Sequence, residues 1–535
     1  MQPSQKSNSP KASLSKNSSP KISPSANSLL FSGWGQALSV FADRRAVIMF
    51  FLGFSAGIPI LLIFSSLSLW LGEAGIEKKA VTFFSWAALG YSFKFVWAPL
   101  IDELPLPFLT RWLGRRRAWL IVAQLLIMTG ICIMAMTDPA QGQASLVQMA
   151  IGAVVLGFSA ATQDIVIDAY RIELAEAEMQ SALAATYNAG YRIAMIVAGA
   201  GALFLASGFG SEKGSYLYSA WQSTYLIMAA VMLIGVLTTL VIREPARQRP
   251  PRPYRSSDYV RLVLVFALAV SAFIYTFIQV GQFWLLSDDA TPFVLFLHEV
   301  VRISAAILMA GLVGYWLVRA GLVNATIAVD TWVAPVRDFF QRYGVKTAVL
   351  LLALIGLYRI SDIVAGVISN VFYQDMGFNK EEIATAVKVF GVVFSLAGGF
   401  LGGLLSQRFS VLKILMLGAI LSSATNLIFI GFSQAGHSIP WLYFAIVADN
   451  LASGLAGAAF IAFLSSLTSV SFTAVQYAIF SSLMTLIPKV LGGYSGTIVD
   501  SAGYANFFLF TALIGVPVLF LIVLVQRQLA RQTSE

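Results

Sequence analysis

Two aspartates four residues apart, Asp164 and Asp168 in the string GFSAATQDIVIDAYRIE, are the residues of this sequence best placed to do chemistry. On a helix they share one face, and Arg171 follows on nearly the same face. Two neighbouring carboxylates in a low-dielectric setting resist ionising together, which suits such a pair to bind and release a proton. An ion pair of Asp168 with Arg171 at the helix end is the plainer reading of those two; Asp164 lies deeper in its apolar run.

Seven more ionisable residues stand inside apolar runs: Lys94, Arg192, Arg359, Asp362, Lys388, Asp449 and Lys489. Each would cost about 2.5 to 3.5 kcal/mol at a bilayer centre. For all nine facing lipid the sum is roughly 20 to 30 kcal/mol, above the net stability of about 5 to 15 kcal/mol of a typical fold. They must therefore face one another or a wet cavity between helical units, as in an alternating-access carrier. The substrate-binding set expected on this ground is Lys94, Gln163, Arg192, Arg359, Asp362, Lys388, Asp449 and Lys489. Arg359 would hold an acidic substrate group, with Asp362 orienting it. The plainer alternatives are an intrahelical Arg359/Asp362 pair, snorkelling by Lys94 and Lys388, and assembly pairing by Arg192, Asp449 and Lys489.

The composition says what must position these groups. Of 535 residues, 35 are basic and 26 acidic, a net +9, yet charged types are only 11% and apolar types 58%. Soluble proteins carry about 25% charged and 45 to 50% apolar residues, so the solvent of this chain is mostly lipid and a soluble enzyme is excluded. Cys132 is the only cysteine and cannot close an intrachain disulfide; His298 and His437 are too few for a histidine metal centre. No metal and no cofactor is expected.

Apolar runs long enough to cross about 30 Å of hydrocarbon recur at about 46–71, 80–101, 117–137, 146–169, 184–207 and 218–242, then 262–286 and 292–318, then 347–373, 383–405, 411–432, 440–463, 473–498 and 503–525. The expected fold is an all-α polytopic membrane protein of fourteen spans, six plus six in two bundles with two extra helices between the halves. The predicted organisation is a disordered N-terminal tail over 1–42, a six-helix bundle over 43–245, a basic linker with two extra spans over 246–326, a cytoplasmic amphipathic helix over 327–345, a second six-helix bundle over 346–527 and a tail over 528–535. In the amphipathic segment Val329, Trp332, Val333, Val336, Phe339 and Phe340 recur at helical spacing. Basic residues concentrate in alternate loops, at Arg44 and Arg45, Arg111 to Arg117, Arg243 to Arg261, Arg408 and Lys413, and Arg527 and Arg531. By the positive-inside rule both termini are then cytoplasmic.

The halves echo each other weakly. The string APLIDELPLPFLTRWLGRRR sets Asp102, Arg115, Arg116 and Arg117 at the second span's exit, and GGFLGGLLSQRFSVLK stands at the matching place in the second half. Both resemble degenerate forms of the loop signature of the major facilitator superfamily, whose charges latch neighbouring helices in one state. That resemblance makes Asp102 and Arg115 to Arg117 a gating loop.

Seven strings in the same order, LGFSAGIPI (52–60), YSFKFVWAPLID (91–102), LGRRRAWL (113–120), TQDIVIDA (162–169), AGYRIAM (189–195), VAPVRDFF (333–340) and LYRISD (357–362), resemble the AmpG muropeptide permeases over residues 46–525, skipping about 253–325. The resemblance implies a bacterial inner-membrane secondary transporter that imports anhydro-muropeptides by proton symport for peptidoglycan recycling, with Asp164 and Asp168 the essential acidic pair. Its implied partners are that small-molecule substrate, protons and the bilayer, with no nucleic acid, in a monomeric protein that is not an enzyme. Better-known members carry an extra helix pair at the C-terminus. Asp449 stands where glutamate is usual, Lys489 where arginine is, and Arg359 where lysine is. The competing expectations are a carrier of another anionic solute such as acetyl-CoA, whose carriers look like relatives, and a membrane transferase acting on lipid-linked sugars.

Overall fold

A backbone in hydrocarbon must satisfy its own N–H and C=O groups, and an uninterrupted helix does this within one segment. The computed structural model describes residues 39–76, 84, 91, 93–211, 214–246, 254–284, 292–492 and 494–534, and these are helical almost throughout. Among the described residues thirteen helices are long and apolar enough to cross a membrane. The predicted N-terminal tail lies almost wholly outside the described residues. The expected second span, about 80–101, is described only at Phe84 and Tyr91 and from Phe93 onward.

The first half holds α1 (Arg44–Ile63, continuing as Ser65–Glu73), α2 (Ala98–Glu103), α3 (Arg115–Ala135), α4 (Gln143–Leu174), α5 (Gln180–Gly208) and α6 (Tyr218–Val241). The peripheral pair α7 (Ser256–Phe283) and α8 (Pro292–Arg319) follows. The second half holds α9 (Ala334–Leu357), α10 (Ile360–Asp375), α11 (Thr385–Leu405), α12 (Val411–Ala435), α13 (Ile439–Leu467), α14 (Thr473–Gly492) and α15 (Ser495–Ser534). The turns that carry Arg111 to Arg117, Arg243, Arg342, Arg408 and Lys413 gather at one end of the bundle, called here the basic end. Phe41 packs on Phe400 there, and Gln532 donates to the Tyr343 carbonyl at 2.7 Å.

Helices in lipid associate by close packing, so small residues mark the tightest contacts. In the first half α1 meets α5 at Gly53 and Gly190; a Cβ on Gly190 would stand 1.9 Å from the Phe50 carbonyl oxygen. In the second half α11 meets α13 at Gly398 and Gly454, where a Cβ on Gly454 would stand 2.1 Å from the Ser395 carbonyl. Each half has its own core. The first stacks Trp70 on Trp221 at 5.6 Å, and the second surrounds Phe372 with Phe429, Phe432, Tyr504 and Phe508.

The middle pair differs. Helices α7 and α8 pack on each other, and only 6% of each apolar window is buried. Their base alone is anchored, where Leu262 and Val265 join Leu100, Val323 and Ile327 in a small core that Trp332 flanks. The amphipathic segment is helical, but a π turn at Val329–Val333 shifts its face. Phe339 is buried in the second half, while Val329, Val333 and Val336 stay exposed. Gly344, at φ +70°, bends this helix into the membrane crossing, a conformation that side-chain-bearing residues rarely adopt.

Candidate functional site

Helix α4 lies at the centre of the first half's charges because it is buried on most sides and carries both aspartates. Lys94, on a 3-10 turn ahead of α2, sets its Nζ 3.5 Å from Asp168 Oδ2, and Arg171 Nη2 lies 3.6 Å from Asp168 Oδ1. Asp168 thus stands between two cations, one of which, Lys94, is only 8% exposed. Asp164, one turn away, has Lys94, Asp168 and the Tyr187 phenol as its electrostatic neighbours. The phenols of Tyr91 and Tyr191 are also within its field. Its Oδ1 is buried with no hydrogen-bond partner among the described residues. Asp168 is therefore compensated by two ion pairs, whereas Asp164, which the Lys94 charge and the Tyr187 phenol support, makes no ion pair among the described residues, a difference that titration chemistry can use.

Arg171 ties this cluster to the other half. Its Nη1 donates to Gln180 Oε1 at 2.9 Å and to Ser465 Oγ of α13 at 2.8 Å, and its guanidinium lies 5.1 Å from the Tyr477 ring centre on α14.

The second half has a cluster of its own. The Arg359 guanidinium pairs with Asp362 and donates to Ser453 Oγ at 2.9 Å. The Ser453 hydroxyl in turn donates to Asp362 at 3.3 Å. The intrahelical Arg359/Asp362 pair left open by the sequence is thus present, and α13 joins it. Asp449 accepts from Thr425 Oγ1 at 3.3 Å and has Arg359 and Asp362 as charged neighbours. Arg192 of α5 is exposed and has Arg359 and Asp362 as its charged neighbours across the seam between the halves.

Two of the other expected binding residues join neither cluster by an ion pair among the described residues. Gln163 is fully buried and accepts from Ser55 Oγ at 3.1 Å, so it packs between α1 and α4. Lys489 is exposed in the last turn of α14 and makes no ion pair among the described residues. The side chain of Lys388 lies outside the described residues. Asn426 donates to Ser361 Oγ at 2.8 Å, and Asn450 to the Ile446 carbonyl at 2.9 Å, so both amides serve packing.

At the basic end the loop charges form a closed cluster. Arg116, fully buried, donates to Asp102 at 2.8 Å, to Glu173 at 2.6 Å and to Thr473 Oγ1 at 2.7 Å. Asp102 also accepts from the Val475 backbone N–H at 3.1 Å, and Glu173 from the Thr473 hydroxyl at 2.6 Å. These carboxylates thus cap the N-terminus of α14, which favours negative charge. Arg115 reinforces them, donating to the Asp102 carbonyl at 2.9 Å and to Glu173 at 3.3 Å. Arg117 points away: its guanidinium donates to the Thr239 and Leu240 carbonyls at the end of α6. Glu244 caps α3, accepting from the backbone N–H groups of both Arg116 and Arg117. Elsewhere on the same end Gln407 donates to the Glu178 carbonyl at 2.8 Å. Gln476 binds Pro335, Asp338 and Arg342 of the amphipathic helix.

Glu173, Thr473, Ser465 and Gln476 were not among the expected site residues. Glu173 ends the same acidic string as Asp164, two residues after Arg171, and helical spacing alone could have marked it. The other three sit in the second half, and their role depends on docking.

The Major Facilitator Superfamily sequence model matches residues 45–369 and 350–534. The anhydromuropeptide permease of Escherichia coli strain K12 is 30% identical over 501 residues, covering 94% of this chain and 82% of that protein. The AmpG 4 protein of Rickettsia conorii is 29% identical over 483 residues, covering 90% and 97%. Among solved structures, the proton:xylose symporter XylE superposes with a TM-score of 0.56 at 13% identity, covering 90% of this chain and 95% of that one. The fucose:proton symporter FucP gives 0.54 at 12%, covering 90% and 98%. Two helical halves that meet in a charged seam, a matching sequence model along almost the whole chain and a 30% identical relative together mean that this multi-pass membrane protein belongs to the major facilitator superfamily, in its AmpG-type permease family.

Proposed function

We propose that this chain is a proton-coupled carrier, not an enzyme, that imports anhydro-muropeptides across a bacterial inner membrane into the cytoplasm. The observation that carries the reading is Asp164: a buried carboxylate with a bare oxygen, one helical turn from the compensated Asp168, beside the seam that Arg171 spans. A proton taken up there removes a buried charge, and release restores it, so protonation state and the strength of the seam are linked. The names of the E. coli and Rickettsia relatives support the substrate class, and the symporter folds support two halves that rock about a central site. The basic end is read as cytoplasmic from its arginines, and Phe41 and Gln532, near the two ends of the described residues, lie on that side. With the Arg116 cluster closed, the structure is then the state sealed toward the cytoplasm. The carrier works as a monomer.

The test is uptake into energised vesicles. Labelled anhydro-muropeptide accumulates, and a protonophore stops it. Uptake indifferent to the protonophore removes the proton role, and vesicles that concentrate acetyl-CoA but not the muropeptide transfer the reading to another anionic solute.

A further inference from the structure

The seam holds two guanidiniums of different origin. Arg192 lies twelve residues along α5 from Gln180, about 18 Å from the basic end at 1.5 Å per residue. Arg359 lies fifteen residues beyond the Gly344 bend, about 22 Å in by the same measure. They belong to opposite halves at similar depth, and Arg359 and its partner Asp362 are both charged neighbours of Arg192. Like charges facing one another inside a membrane protein are costly unless water or an anion separates them.

Their partners are unequal. Arg359 has Asp362 and Ser453, both engaged through Nη2. Its Nη1 edge points toward Gly457, where a Cβ would still be 3.9 Å away, so bare backbone leaves room beside it. Arg192 is exposed and makes no ion pair among the described residues. A guanidinium presents five N–H donors in a planar fork, so both arginines have donors left over.

We infer that Arg192 and Arg359 form one carboxylate receptor divided between the halves, and that the transported solute must present a carboxylate to it. The inference rests on the proposed transport of anhydro-muropeptides and specifies which group of them is recognised. Every such molecule offers one, on the lactyl ether of its muramyl sugar or on the peptide attached there. Without a bound anion the two guanidiniums repel, and Asp362 offsets that repulsion only in part. A carboxylate that accepts from both turns repulsion into a bridge, so a bound anion draws the halves together. A neutral analogue of the same shape leaves the repulsion in place.

Binding to the purified full-length protein tests this, using the labelled anhydro-disaccharide with a free lactyl carboxylate and its carboxamide analogue. The wild type is expected to prefer the carboxylate by about 10- to 100-fold, the range of a charge-assisted hydrogen bond. Arg192→Gln reduces that preference to within about threefold, and Arg192→Lys, which keeps charge but not the fork, falls between. Arg192 holds no other side chain in place, so its variants should elute and melt like the parent. In Arg192→Gln/Arg359→Gln the loss should fall short of the sum of the single losses, because one anion is shared. A wild type that binds the carboxamide as tightly as the carboxylate overturns the inference, as does an Arg192→Gln protein that keeps the full preference. Failure of the wild type to bind either disaccharide instead overturns the muropeptide reading on which the inference stands.

Discussion

Arg116 of the first half donates to Thr473 of the second at 2.7 Å, and the two residues are 357 positions apart in sequence. The contact closes the basic end by joining a buried cation to the first residue of α14, with Asp102 and Glu173 as its counter-charges. Replacing Arg116 by Gln leaves the buried Asp102 and Glu173 with the more exposed Arg115 as their cation, a loss of up to about 3 to 5 kcal/mol, the range for breaking a buried pair. The expected outcome is a carrier that rests open at this end. Ala474, buried in the seam, reports it: in an Ala474→Cys background, a membrane-impermeant thiol reagent applied from the basic side should label the Arg116→Gln protein readily and the parent slowly. Equal labelling would show that the cluster does not hold the gate.

The two aspartates of α4 should separate in stability. Asp168→Asn removes the carboxylate that compensates Lys94 and Arg171, so both accumulation and melting temperature fall. Asp164→Asn removes a carboxylate whose Oδ1 has no partner, so accumulation falls while the melting temperature holds or rises. Uptake assays beside thermal melts of the two purified variants decide it. Retained accumulation in both would refute the coupling assignment, and equal melting losses would refute the difference in compensation.

Helix pairing within each half depends on bare backbone. Gly190→Ala forces a Cβ toward the Phe50 carbonyl, and Gly454→Ala toward that of Ser395, where neither backbone can yield cheaply. Each should lower stability by about 1 to 3 kcal/mol or more, as overpacking does. Gly311, on peripheral α8, would place its Cβ in open space, and Gly311→Ala should be neutral or stabilising by about 0.5 to 1 kcal/mol. Melting in one detergent compares the three, and a Gly190→Ala protein as stable as Gly311→Ala would contradict the packing.

One acidic group far from the basic end predicts a pH effect. The Asn379 backbone N–H and the His437 ring hold the Glu382 carboxyl below its ordinary value, and the His437 ring stands against Phe378. A carboxylate with a depressed folded value contributes stability that is complete above the ordinary Glu range, about pH 4 to 5, and is lost as pH falls through the folded value. Hydrogen exchange in the loop over 376–383 should therefore be insensitive to this carboxyl near neutrality, after the usual correction for base catalysis. It should gain excess opening below about pH 4, and Glu382→Gln should show that opening at every pH. A wild-type loop equally protected at pH 3 and 7 would contradict the clasp.

The spans, the charges inside them and the acidic pair on α4 could be read from the chain because each depends on local pattern. A bilayer imposes helix on any apolar run of sufficient length, and an i, i+4 spacing fixes a shared helix face whatever surrounds it. Local pattern also drew Arg115 to Arg117 together as one motif, although the end of α6 holds the Arg117 guanidinium and Arg116 alone is buried at the centre of the basic-end cluster. That division needs α6 to return beside α3, which no neighbouring residue encodes.

Compensation was likewise beyond the linear sequence. Asp164 and Asp168 are the same residue type in the same helix, yet among the described residues Asp168 alone of the two has cations within ion-pair distance, Arg171 from its own helix and Lys94 from outside it. Gln163 and Arg192 both looked available to substrate; packing buries the first against Ser55 and leaves the second facing Arg359. The sequence by itself determined how many charges the membrane interior must accommodate. Only the tertiary structure decided which of them neutralise one another, because that depends on distances of a few ångströms between helices far apart in sequence.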